Sequence, residues 1–133
     1  MIVIDASVAV KWVLQEEGWE AAFALRSQPL TAPELWLIEA ASALWATAAR
    51  RQISAAETEE RLTLLRQSPV QTTSIGEDLA AALRLANELR HPIYDCLYLA
   101  AALRLDTHVI TADRRFVLAC KNNQTVKSHV KLL

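Results

Sequence analysis

The chain has 133 residues, enough for one ordinary domain and too few for two. Hydrophobic residues make up 53 % of it, with only 2 Gly and 4 Pro, which excludes a disordered chain and favours a helix-rich globule. A formal net charge of -1 excludes nucleic-acid binding by bulk positive charge alone, so any phosphate partner needs another source of attraction.

Met1 to Ile4 is a β-branched run ending at an acid and reads as a strand. A helical pattern follows from about Ser7 to Leu14, and another begins after Gly18. Pro33 fits the first turn of a helix that the Ala-, Leu- and Trp-rich segment from Glu34 to about Arg51 continues. Ser54 with Glu57 is a capping-box pattern, opening a helix that runs to about Gln67, before Pro69. Val70 to Thr73 is a candidate strand, and Glu77 to Arg90 is rich in helix formers. His91-Pro92 interrupts, and Ile93 to Leu105 supplies a further helix with few polar positions. His108 to Thr111 reads as a buried strand, Asp113 to Cys120 as a short helix, and Thr125 to Lys127 as a last weak strand.

Short apolar strands alternating with helices predict an α/β fold, one domain over residues 1–133, with a central parallel sheet flanked by helices. Sites in such sheets form beyond the carboxyl ends of the strands, where Asp5 and Asp113 fall. No basic leader precedes the first apolar run. No stretch reaches the ~18 uninterrupted apolar residues of a membrane span, because Glu39 and Asp95 break the two most apolar segments. A soluble, cytoplasmic protein is expected. Cys96 and Cys120 lack metal or redox spacing and read as buried thiols.

The acids carry the chemistry. Glu39 is the only ionisable residue between Leu35 and Ala49, Asp95 between Ile93 and Leu103, and Asp5 between Met1 and Val10. Asp113 follows the apolar run Val109-Ile110-Thr111-Ala112. An unpaired buried carboxylate costs several kcal/mol, and no Lys or Arg within the first three of these segments offsets it. If the fold gathers them, a divalent cation is the simplest device that keeps them ionised. Oxygen donors without a Cys/His set point to Mg²⁺ or Mn²⁺ rather than zinc. Each acid also has a structural reading. Asp5 and Asp113 stand where helix caps stand, Asp95 lies in a first turn that favours anions, and Glu39 could reach solvent or a distant Arg.

Four segments then become specific together: Val3-Ile4-Asp5-Ala6-Ser7-Val8, Glu39-Ala40-Ala41-Ser42-Ala43-Leu44, Tyr94-Asp95-Cys96-Leu97-Tyr98-Leu99-Ala100-Ala101-Ala102, and Ile110-Thr111-Ala112-Asp113-Arg114-Arg115-Phe116. In this order they resemble the motifs of the PIN-domain family, and within it the VapC-like toxins of type II toxin–antitoxin systems. The resemblance spans Ile2 to about Phe116. It implies a PIN-like fold and a Mg²⁺- or Mn²⁺-dependent endoribonuclease with Asp5, Glu39, Asp95 and Asp113 as catalytic metal ligands. It further implies an RNA substrate, frequent homodimers, and inhibition by a small antitoxin protein. One position departs from the family pattern: Ser42 stands where Asn is common, on the helical face expected for Glu39, and predicts tuned rather than lost activity. Ser7 and Thr111 match small hydroxyl positions that orient carboxylates or water, a role shared with ordinary capping.

His91, His108 and His129 are scattered and read as loop, strand and tail residues outside the chemistry. Arg114 and Arg115 beside the fourth acid are either phosphate contacts or a solvated helix face. Trp12, Trp36 and Trp45 supply more aromatic surface than a small core obviously needs, which predicts a homodimer and an apolar groove for an antitoxin helix. Two other readings compete: an RNA-processing PIN nuclease with no antitoxin, and a catalytically weak binding or regulatory module. A receiver-like phosphoacceptor domain would need adjacent acids after the first strand, and Ala6 follows Asp5.

Overall fold

β1 (Ile2–Ile4) is β-branched throughout, and its Val3 and Ile4 are completely buried. It is the middle strand of a five-stranded sheet in the order β3-β2-β1-β4-β5, with β2 at Leu30–Pro33, β3 at Val70–Thr73, β4 at Val109–Thr111 and β5 at Val130–Leu132. Every pairing is parallel, from Ile2 beside Leu30 to Val109 beside Val130. This computed structural model describes residues 1–133.

Parallel neighbours need crossovers, and helices supply them: α1 (Ala6–Ala9), α2 (Trp19–Ala24), α3 (Leu35–Ala49), α4 (Ala55–Arg66), α5 (Leu79–Leu89), α6 (Ile93–Arg104) and α7 (Arg114–Cys120). The chain moves outward from β1 through β2 to β3, then returns across the sheet to β4 and β5 on the other side of β1. The order therefore reverses between β1 and β4. A crevice opens at such a reversal beyond the carboxyl ends of the strands. α6 explains its own position: Cys96 through Ala102 is apolar all round and buried without a break, packed against β1, β2 and β4. Burying side chains such as Leu99 and Phe116 stabilises the fold by about 1.5–3 kcal/mol each and fixes the helices that carry Asp95 and Asp113.

The capping box at Ser54 and Glu57 forms with both reciprocal hydrogen bonds, at 3.1 Å each. Cys96 and Cys120 are free and buried, and burial pushes their thiols up to about 12 and about 11. Two expected elements are corrected. Pro33 does not open a helix. It ends β2, a strand missing from the sequence reading, and α3 starts after it. A strand end tolerates a residue without an N–H, so Pro33 is compatible with either role and only pairing with β1 and β3 decides. Thr125 to Lys127 is not a strand. Asn123 accepts from the Thr125 N–H through its side chain and from the Val126 and Lys127 N–H groups through its carbonyl, which holds that segment in a turn. The last strand is Val130–Leu132.

Candidate metal centre

Asp5 follows β1 directly. Its extended backbone (φ -97°, ψ 174°) ends the strand and its carboxylate caps α1, accepting from the Val8 N–H at 3.3 Å. The Ser7 hydroxyl donates to the same oxygen at 2.5 Å, and the Ser7 oxygen accepts from the Ala112 N–H at 2.8 Å. Thr111, at the end of β4, lies 3.4 Å from the Ser7 hydroxyl and accepts from the Asp113 N–H at 3.0 Å. Hydroxyls thus lace the ends of the two central strands together around one acid. Asp5 is 4 % exposed and no cation pairs with it, so burial pushes its carboxyl up to about 7 despite these hydrogen bonds.

Glu39 sits in the second turn of α3, half-buried. The Tyr98 hydroxyl of α6 donates to its Oε1 at 2.6 Å. Burial raises the Glu39 carboxyl above the usual carboxylate range, which the tyrosine bond opposes and the Asp95 charge reinforces. Asp95 lies in the first turn of α6 and is raised for the same first reason, burial, against the pull of His91. His91 Nε2 stands 2.6 Å from Asp95 Oδ2, and its ring stacks on Phe116 at 5.5 Å with 14° between the planes. Asp113 caps α7, accepting from the Arg115 N–H at 2.9 Å.

The structural readings of Asp5, Asp95 and Asp113 are therefore realised, and they do not exhaust these residues. Asp5, Glu39, Asp95 and Asp113 all line one cavity of about 250 Å³, together with Ala6, Ser7, Val10 and Ala43. No Lys or Arg lines it. Their charges act on one another across it: Asp95 raises both Asp5 and Glu39, and Asp113 raises Asp95. No three of the His, Cys, Asp and Glu side chains form a group tight enough to close on one ion as they stand. The donor set is oxygen only, and the one Arg that approaches it, Arg115 at 4.0 Å from Asp113 Oδ1, is exposed and does not line the cavity, so the set fits a hard divalent ion.

Ser42 stands apart from the other expected hydroxyls. It is exposed and does not line the cavity, whereas Ala43 does. On a helix the third residue along lies about 60° from the first and the fourth about 40°, so the fourth follows Glu39 more closely. Two residues that hold the acids escaped the sequence reading. His91 is a loop residue, as expected, but it touches Asp95, and Tyr98, inside the third motif, holds Glu39. The spacing of four between His91 and Asp95 was visible, but Pro92 separates them and His91 lies outside α6.

Fold and cavity together define a parallel α/β protein with an acidic site at the reversal of its strand order. The family model for the PIN domain matches residues 2–122, and the chain belongs to that family, whose members are generally nucleases. No curated protein matches it in sequence. Among solved structures it is similar to PAE2754 from Pyrobaculum aerophilum, with a TM-score of 0.73 and 19 % identity over 98 % of this chain and 87 % of that one. It is also similar to a chain of a toxin–antitoxin complex from Klebsiella pneumoniae, with a TM-score of 0.62 and 15 % identity over 98 % and 96 %. Both likenesses are of fold. No helix is long and apolar enough to cross a membrane.

Proposed function

We propose that this chain is a Mg²⁺- or Mn²⁺-dependent endoribonuclease and the toxin of a toxin–antitoxin pair, acting in the cytoplasm as a single domain. The observation that carries the reading is the lining of one cavity by four carboxylates from separate elements with no cation among them. Asp5, Glu39, Asp95 and Asp113 would hold the ion, which when bound neutralises charge developing on a phosphodiester under in-line attack by water. The chain's own groups prepare the ground. Ser7, held in turn by Thr111, keeps Asp5 in one rotamer at the junction of β1 and β4, and the buried ends of both strands resist displacement. Arg114 and Arg115, exposed at the start of α7 beside Asp113, are placed to meet the phosphates of an incoming RNA.

The antitoxin rests on two supports. The similar structure from Klebsiella pneumoniae is a toxin–antitoxin complex. On this chain, Trp36 is core and Trp12 is partly buried, but Trp45 is 71 % exposed and shares a face of α3 with Ile38, 75 % exposed. Beside Trp45 an apolar cavity of about 170 Å³ opens between α3 and α4, lined by Leu44, Ala48 and Leu62 among others. The apolar face of an amphipathic antitoxin helix would cover this surface, and a homodimer of the toxin is part of the same reading.

The test is cleavage of a mixed RNA pool. Wild type should cut with Mg²⁺ or Mn²⁺ and stop in EDTA, and Asp5→Asn should be inactive with either ion. Cleavage that survives EDTA and Asp5→Asn would sink the reading. Sedimentation of the chain alone and with the product of the neighbouring gene checks the dimer and the antitoxin.

A further inference from the structure

Glu39 is the one acid of the cavity that lies beyond the first turn of its helix, away from any helix start or strand end. A glutamate in the middle of a helix has three side-chain torsions and many positions open to its carboxylate. Here one bond selects among them. The Tyr98 hydroxyl, 59 positions away in the chain, donates to Oε1 at 2.6 Å. A hydrogen bond this short, to a group that carries charge when ionised, is of the strong kind.

The donor itself cannot move. Tyr98 is 0 % exposed, on a stretch of α6 that is buried from Cys96 to Ala102. Its one hydrogen bond is the one to Glu39. One buried hydroxyl therefore joins α6 to α3 at the wall of the acidic cavity. Satisfying a buried tyrosine requires only some acceptor, and a backbone carbonyl would serve. The acceptor used is a cavity carboxylate.

We propose that Tyr98 is a positioning residue for the cleavage reaction: it anchors Oε1 of Glu39 and leaves the second carboxylate oxygen set for a divalent cation. The proposal rests on the metal-dependent nuclease reading above. Partners one step out from a metal set the direction of the ligands that touch it, so the effect of Tyr98 passes through Glu39.

Tyr98→Phe removes the hydroxyl and keeps the ring. Mn²⁺ affinity, measured by calorimetry without RNA, should fall about 10- to 100-fold, the range expected for such partners. The kcat should fall while KM for RNA holds. In a Glu39→Ala background the same substitution should change Mn²⁺ affinity no further, because the interaction it removes is already gone. Wild-type affinity in Tyr98→Phe overturns the proposal, as does an equal loss in the Glu39→Ala background, which would mark general packing. Far-UV circular dichroism in EDTA checks folding. Should Tyr98→Phe unfold, the hydroxyl proton resonance of Tyr98 decides: Glu39→Ala should shift it, and an unchanged resonance overturns the proposal. A wild type that neither binds Mn²⁺ nor cleaves RNA overturns the nuclease reading and this proposal with it. A functional wild type with an indistinguishable Tyr98→Phe overturns this proposal alone.

Discussion

Asp5 and Asp78 are the two buried aspartates, 4 % and 2 % exposed, and their surroundings are opposite. Arg104 closes on Asp78 with Nε 2.7 Å from Oδ1 and a second nitrogen 3.0 Å from Oδ2, joining the start of α5 to the end of α6. Asp5 has hydroxyls and an amide around it but no cation, and three further acids across a cavity. A buried carboxylate given a fork of guanidinium donors is a structural bond. One left without a cation, among other acids, keeps its burial cost, and on the proposed function a divalent ion offsets it.

The comparison breaks most visibly if the two kinds of acid respond alike to substitution. Asp95→Asn should lower cleavage by at least about 100-fold, the scale on which stabilisation of transition-state charge is lost. In EDTA it should be no less stable than wild type, since burial already favours its neutral form. Mn²⁺ at about 100 times its dissociation constant stabilises wild type by about 2.7 kcal/mol, and the mutant should gain much less. Asp78→Asn should show the reverse, losing about 1–3 kcal/mol with or without Mn²⁺ while retaining cleavage chemistry. Equal Mn²⁺ shifts in Asp95→Asn and wild type, with cleavage intact, would reduce Asp95 to a helix-terminus anion.

A finer distinction lies in pH. Asp5 has a folded value of about 7 against an ordinary 3.8. Between those values the unfolded chain has released a proton that the folded chain retains, so metal-free stability should fall as pH rises, on the order of a few kcal/mol in all. The stabilising contribution of the neutral acid is complete below the unfolded value and gone above the folded one. Urea unfolding in EDTA from pH 4 to pH 8 should show this fall in wild type and a flatter profile in Asp5→Asn; identical profiles would remove Asp5 from the argument.

The smallest expected effect concerns His91. His91→Ala releases Asp95 Oδ2 and should weaken Mn²⁺ binding about tenfold, the lower end for partners of metal ligands. Calorimetry on the variant reads this directly, and unchanged affinity would make the His91 contact, like its stacking on Phe116, packing alone.

How much of this was open to the sequence depends on how far each determinant reaches. The capping box at Ser54, β1 and the breaking of the helix at Pro92 follow from neighbouring residues, and the sequence alone placed them. It also singled out Asp5, Glu39, Asp95 and Asp113, because a lone charge in an apolar segment is visible without coordinates. Only the tertiary structure decided that Leu30–Pro33 is a strand, since a short run ending in proline becomes one only between β1 and β3. It alone moved the last strand to Val130–Leu132, where β4 offers a free edge. It alone turned Ser42 outward and gave Glu39 the hydroxyl of Tyr98. Solitude of charge is a property of neighbours in the chain, whereas the partner of a charge is chosen by packing between elements far apart in it.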